Sequence, residues 1–347
     1  MNQRKSILLI DGIPELENAK TAANIIRYRP QQVAAILDRN RSGQTSASLF
    51  GIGGDIPVIA HLYQAPEADT LIIGVATSGG VMPEPMRQVV RQAICRGMKI
   101  VSGLHQFLSD DPEFKHLAET HGAKLVDLRK NRERKVANLQ GISETCLRIH
   151  TIGQDCNVGK MLVSLELSRA LQREGHDAKF VATGQTGMII EGDGCPIDAV
   201  VADFINGAAE RLVLTHQHHA MLIIEGQGTL VHPRYSAVTL GLLHGCRPHG
   251  LILCYEPGRQ GLSGMDFVAL TPLPKLIELY EAMASAMQPC RVIGIAMNTS
   301  RLSASQAAQE RRRMRDESGL PVADVIRDGP NDLLRAILTL KAKVIPE

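Results

Sequence analysis

The sequence predicts an α/β protein with two doubly wound, mainly parallel-sheet domains, and three observations carry that expectation. Its 347 residues exceed the ~250 at which a single core usually stops growing. Short apolar runs alternate with amphipathic stretches, the pattern of successive βα units. A strand-like run at 147–152 then enters a glycine-bracketed loop ending in Gly159-Lys160.

The first domain is expected over 1–145, with strands at 6–10, 32–37, 57–60, 70–75, 99–102 and 123–128. Over 85–96, Met86, Val89, Val90 and Ala93 recur at helical spacing and Gly97 stops the helix. Asp11-Gly12-Ile13-Pro14 reads as a turn whose aspartate caps the next helix. Gly51-Ile52-Gly53-Gly54 and Ser78-Gly79-Gly80 miss the register of a dinucleotide fingerprint, so a nicotinamide site is poorly supported. The run Arg129-Lys130-Asn131-Arg132-Glu133-Arg134-Lys135 reads as a solvated basic connector closing this domain.

The second domain is expected over 146–347, with strands at 147–152, 179–182, 221–225, 250–255, 291–297 and 321–326. Val163, Leu167, Ala170 and Leu171 mark the helix opened by the loop lysine, with Gly175 ending it. Val201, Ile205, Ala208 and Leu212 mark a second helix, and Leu276, Leu279, Tyr280 and Met283 a third. Arg311-Arg312-Arg313-Met314-Arg315 belongs to a surface helix.

Composition narrows the function classes. A 3% aromatic content without Trp leaves aliphatic residues to build the core, as buried parallel sheets prefer. A formal charge of +2 provides no field for nucleic acid or an anionic membrane. No apolar run approaches the ~20 residues that span a bilayer, and seven cysteines without CxxC spacing suit a reducing compartment. A soluble, cytoplasmic protein is expected, with a homo-oligomer as the default assembly.

The chemistry centres on Gly153-Gln154-Asp155-Cys156-Asn157-Val158-Gly159-Lys160-Met161. A loop between a strand and a helix aims successive backbone N–H groups and the positive helix end at one spot, which an anion suits. Lys160 adds a full charge able to bridge phosphate oxygens. Two features are unusual. Five residues separate Gly153 from Gly159, where the common phosphate loop has four, and Met161 replaces the hydroxyl that holds Mg²⁺. Either other groups such as Asp155 and Glu225 hold the metal, or the loop binds phosphates that are never cleaved.

Glu225, ending the apolar strand before Gly226-Gln227-Gly228, stands where an acid shares the loop's rim. It is a candidate general base, and His232 in His232-Pro233 is another. Gln185 and Thr186 within Thr183-Gly184-Gln185-Thr186-Gly187, together with Gly226 and Asn298, read as ligand contacts or as turn chemistry. Cys156 reads as a nucleophile or a small packing residue. His216-Gln217-His218-His219 resembles metal-ligand material but suits a helix end equally, and no metal site is expected.

The loop and the Glu225-Gly226 strand end resemble those of dethiobiotin synthetase. A broader resemblance rests on 153–161, on Val181-Ala182-Thr183-Gly184-Gln185-Thr186-Gly187, on Ile224-Glu225-Gly226-Gln227-Gly228 with His232-Pro233, and on Glu256-Pro257-Gly258-Arg259. These look like a bacterial and archaeal two-domain family long known only as a domain of unknown function, whose members include D-glutamate N-acetyltransferases. The resemblance implies a Rossmann-like first domain and a P-loop NTPase-like second one. It also implies acetyl-CoA as cofactor, an amino acid as small-molecule substrate, and acyl transfer using Lys160 with Glu225 or His232. Arg259 or Arg301 would pair a substrate carboxylate. The rival expectations are an ATP- and Mg²⁺-dependent ligase or kinase and a nucleotide-binding regulator without turnover.

Overall fold

A computed structural model describes residues 5–13, 15–75 and 80–345; Pro14 of the first turn and Ser78-Gly79 of the second glycine run lie outside them. The chain divides into two compact units, Met1–Asn131 and Arg132–Glu347. The stretch 132–145, expected as the tail of the first domain, thus groups with the second unit. It is held there because the buried carboxylate of Glu210 accepts from the backbone N–H groups of Asn138 and Leu139.

In the first unit, β1 (Lys5–Leu9), β2 (Val33–Leu37), β3 (Val58–Ile59), β4 (Ala68–Ile73), β5 (Lys99–Ser102) and β6 (Lys124–Asp127) form a parallel sheet in the order β3-β2-β1-β4-β5-β6. The order reverses between β1 and β4, the mark of a doubly wound sheet. The helices are α1 (Lys20–Tyr28), α2 (Ser46–Phe50), α3 (Glu84–Cys95) and α4 (Pro112–His121). Helix α3 buries Met86, Val89, Val90 and Ala93, the stripe expected from spacing. Asp11 does not cap a helix. It is buried and receives Arg39 through the backbone N–H at 2.9 Å and through Nε and Nη2 at 2.9 and 2.6 Å.

The second unit contains β7 (Leu147–Gly153), α5 (Lys160–Arg173), β8 (Ala178–Val181), α6 (Gln185–Glu191), α7 (Ile205–His216), β9 (Met221–Ile224), α8 (Ser236–Cys246) and β10 (Gly250–Tyr255). A hairpin follows, β11 (Gly261–Leu262) with β12 (Met265–Ala269), then α9 (Leu273–Ser285), β13 (Arg291–Met297), α10 (Ala304–Ser318), β14 (Val322–Ala323) and α11 (Asn331–Val344). The main sheet is parallel in the order β14-β13-β10-β7-β9-β8. Every residue of β7, β9 and β10 is buried, which explains why β9 and β10 read as continuous apolar runs, while β7 also buries Arg148, His150 and Thr151.

Two helix expectations shift. Val201 precedes α7 and is 52% exposed, so that helix begins its core face at Ile205. Met283 lies on the exposed side of α9, whose core face is Leu276, Tyr280 and Ala284. The strand expected at 321–326 pairs only at Val322–Ala323, because Asp324 turns its carboxylate back to accept from Ile326 and Arg327 N–H groups. Among the described residues no helix is long and apolar enough to cross a membrane.

Candidate functional site

The loop leaves β7 at the carboxyl edge of the second sheet and enters α5 at Lys160. Asn157 and Gly159 take positive φ values of 58° and 100°, which turn the backbone onto the helix axis. Gly153 is required by a close approach, since a Cβ there would stand 2.7 Å from Lys160 Nζ. Lys160 itself is buried and donates to the Asp155 carbonyl at 2.7 Å. Burial holds its pKa below the usual lysine value. A buried cation beside helix-terminal N–H groups is primed for an anion that would repay its desolvation.

Asp155 braces the loop. It is fully buried, accepting from Cys156 N–H at 2.6 Å, from Arg259 Nη1 at 2.7 Å and from Ser263 N–H at 2.7 Å. Arg259 also donates to the Cys156 carbonyl at 3.2 Å and forks onto Glu256. Asp155, Cys156 and His232 place one potential ligand atom each within 4.8 Å of one another. The polar atoms of Asp155 and His232 are committed elsewhere, however. His232 accepts from Arg234 N–H at Nδ1 and meets the Ser263 carbonyl at Nε2, both at 3.2 Å. That pattern fixes the Nε2–H tautomer and makes the imidazole a pin between its own segment after β9 and the β11–β12 hairpin.

Glu225 follows β9, next to β7 in the sheet. Its Oε2 accepts from Thr183 N–H at 2.8 Å and Gly184 N–H at 3.2 Å, and Gln227 Nε2 reaches Oε1 at 3.3 Å. Burial pushes its carboxyl up to about 7, with the two backbone donors and Lys160 pulling the other way. Desolvation wins because the group is 4% exposed. A carboxyl with that value is half ionised at neutral pH and suited to proton transfer. Gly226 is mandatory beside it: a Cβ would lie 1.8 Å from the Thr151 carbonyl and 3.0 Å from Lys160 Cδ.

Beneath the loop, Thr151 Oγ1 meets Ser164 Oγ at 2.8 Å and accepts from Gly226 N–H at 3.0 Å, while Ser164 Oγ donates to the Lys160 carbonyl at 3.0 Å. Both hydroxyls therefore tie β7, α5 and the Glu225 strand end together in the interior. Neither replaces the hydroxyl missing at Met161.

The structure places Gln154, Asp155, Cys156, Asn157, Val158, Gly159 and Lys160 in one turn, with Glu225 and Gly226 beside it. Gln154 Oε1 is buried without a hydrogen-bond partner, the condition of an acceptor awaiting a donor. Gln185 and Thr186 open α6, two strands to one side of the loop, where Thr183 and Gly184 grip Glu225. Asn298 ends β13 two strands to the other side, about 10 Å away at ~4.8 Å per strand; its N–H donates to Tyr255 O at 2.8 Å. His216, itself buried, pairs with Asp193 at 3.0 Å, and His219 pairs separately with Asp177 at 2.6 Å near the end of α7.

Two supports escape sequence reasoning. Tyr280, spaced as a core residue of α9, sends its hydroxyl to the Gly153 carbonyl at 3.1 Å and meets Thr229 Oγ1 at 3.2 Å. Ser263, in a hairpin with no alternating pattern, supplies the N–H that Asp155 accepts. Neither carries a local signal, because the partners lie 127 and 108 residues away in the chain.

Fold and site together define a two-domain α/β protein whose second domain carries a P-loop-like turn between β7 and α5. The family models agree: residues 39–131 match the Rossmann-like domain of unknown function DUF1611_N, and residues 135–334 the P-loop domain of unknown function DUF1611_C. The chain belongs to the DUF1611 family. It is 35% identical over 336 residues to a D-glutamate N-acetyltransferase of Tritonibacter scottomollicae, covering 95% of this chain and 97% of that protein. A D-glutamate N-acetyltransferase of a Pseudoalteromonas species is 39% identical over 268 residues, 77% and 80% of the two chains. The crystal structure of a DUF1611 family protein from Anabaena variabilis superposes with a TM-score of 0.90 at 35% identity, over 97% of this chain and 100% of that one.

Proposed function

We propose that this protein is an N-acetyltransferase moving an acetyl group from acetyl-CoA to the amine of a D-glutamate-like amino acid. The observation that carries the reading is a phosphate loop without a metal-holding hydroxyl, set beside a buried carboxyl poised near neutral pH. The names of the curated relatives point to the same chemistry.

In this reading Lys160 and the loop N–H groups beyond Cys156 hold phosphates of the donor, since the Gln154 and Cys156 N–H groups already serve the Cys254 carbonyl and Asp155, and no bond to phosphorus breaks. Gln154, with its orphaned acceptor, fits a donor group on the ligand. Glu225 takes one proton of the acceptor's ammonium, and the free amine attacks the acetyl carbonyl, the C–S bond breaking as the new N–C bond forms and the surplus N–H proton passing to the departing thiolate to give the amide and free CoA thiol. His232 is a positioning residue, since both ring nitrogens serve backbone groups. Arg259 is held between Asp155 and Glu256. Arg301, with a side chain 68% exposed and a 3.3 Å contact to Glu256, is therefore the better partner for a substrate carboxylate.

A specific observation favours a second reading. Glu225 lies in the field of the loop lysine, as an acid does that works on a bound phosphate. This suits an ATP-dependent ligase or kinase with Mg²⁺. Incubation with acetyl-CoA and D-glutamate decides between them. Free thiol should rise only when both are present, and no thiol above background across a panel of amino acids, with ADP formed from ATP instead, overturns acyl transfer.

A further inference from the structure

The second unit contains a cavity of about 330 Å³ bordered by α10, α11 and the edge strand β14. That volume sits at the small end of the ~300–1,000 Å³ typical of ligand pockets. Its wall carries Arg311, Arg315 and Arg335 with Asp328 and Asp332. Arg311 pairs with Asp328, while Arg315 and Arg335 share the two oxygens of Asp332. Three guanidiniums against two carboxylates leave the wall with a net positive charge.

The surplus has a chemical meaning. A guanidinium fork matches the paired oxygens of a carboxylate or phosphate, and Arg315 and Arg335 each give Asp332 one nitrogen, one to each oxygen, so each keeps further N–H groups. Arg315 ties α10 to Asp332 of α11, whereas Arg335 meets the same carboxylate from three residues on within α11, so Arg335 is not needed to brace the two helices. The sheet order places β14 three strands from β7, about 14 Å at ~4.8 Å per strand. An anion here does not share donors with the phosphate loop.

We propose that this cavity is a second anion site, taking a small ligand through carboxylate or phosphate oxygens on Arg311, Arg315 and Arg335. Nothing in the acyl-transfer reading uses it, so the two stand or fall separately.

The test is titration calorimetry on full-length protein with inorganic phosphate and, separately, glutarate, which distinguishes the two sources of the oxygens. Lys160→Ala silences the loop and isolates the cavity. On that background at least one probe should still bind, and Arg335→Gln should weaken it about tenfold. The Arg335 side chain is 74% exposed, so its loss leaves the fold intact. Arg311→Gln should weaken binding at least as much, its side chain being 26% exposed. No binding of either probe to Lys160→Ala protein, or binding unchanged by both arginine replacements, overturns the proposal.

Discussion

Both units solve the same problem at the end of their first strand, and with the same device. After β1, buried Asp11 accepts from Arg39; after β7, buried Asp155 accepts from Arg259. Each aspartate also takes a backbone N–H. The units part at the next residues. In the first, Gly12 turns straight against Pro85, where an added Cβ would lie 3.0 Å from the proline Cβ. In the second, the chain runs on to Gly159 and Lys160 before its helix begins. The aspartate–arginine pair is thus a brace common to both edges, and only the second edge adds a longer loop with a buried lysine.

Lys160→Ala attacks that distinction directly and should have the largest effect. Stabilisation by CoA or nucleotide in a thermal-shift assay should vanish, and turnover should fall at least ~10³-fold. Glu225→Gln comes next, with a ~10²–10³-fold loss of kcat/KM for a positioned base and unchanged thermal stabilisation by the donor. The wild-type rate should rise as pH climbs through about 7, because only the ionised carboxylate accepts a proton, and the glutamine variant should lack that rise.

Glu225 also gives a stability prediction with the opposite pH sense. Its folded pKa lies above the unfolded value, so the native state binds the extra proton. Wild-type stability from this group is fullest below the unfolded value and is lost as pH rises through about 7. Urea unfolding should therefore show Glu225→Gln gaining on wild type between pH 5 and 8, by on the order of 2–3 kcal/mol.

The braces give smaller and contrasting effects on ligand binding. Arg259→Gln frees a buried carboxylate inside the loop and should weaken donor binding about tenfold. Arg39→Gln leaves Asp11 unpaired in the first unit and should lower stability by ~1–3 kcal/mol, without altering donor affinity. Titration calorimetry paired with urea melts checks both, and equal losses of affinity would show that the two edges are not functionally distinct.

The parts of this comparison differ in how readable they are from sequence. The buried strands and the loop are local: Leu147 to Lys160 contains its own strand-like start, glycines and lysine. Glu225 is nearly as local, since an acid ending an apolar strand must appear on the sheet's carboxyl rim. The braces are not. Asp155 meets Arg259 across 104 residues, and nothing near either residue announces the other. His232 shows the same limit. Its residue type suggests a base, but only the backbone groups at Arg234 and Ser263 reveal that both nitrogens are taken. The hairpin β11–β12 pairs only through two short strands, too little for a period-2 signal.

A loop that holds phosphates without cleaving them needs no metal to do so, and one titration shows it. CoA should bind wild-type protein in the presence of a chelator with the same affinity as in Mg²⁺, and Lys160→Ala should lose that binding. Binding that requires Mg²⁺, with ATP turned over to ADP, would contradict it.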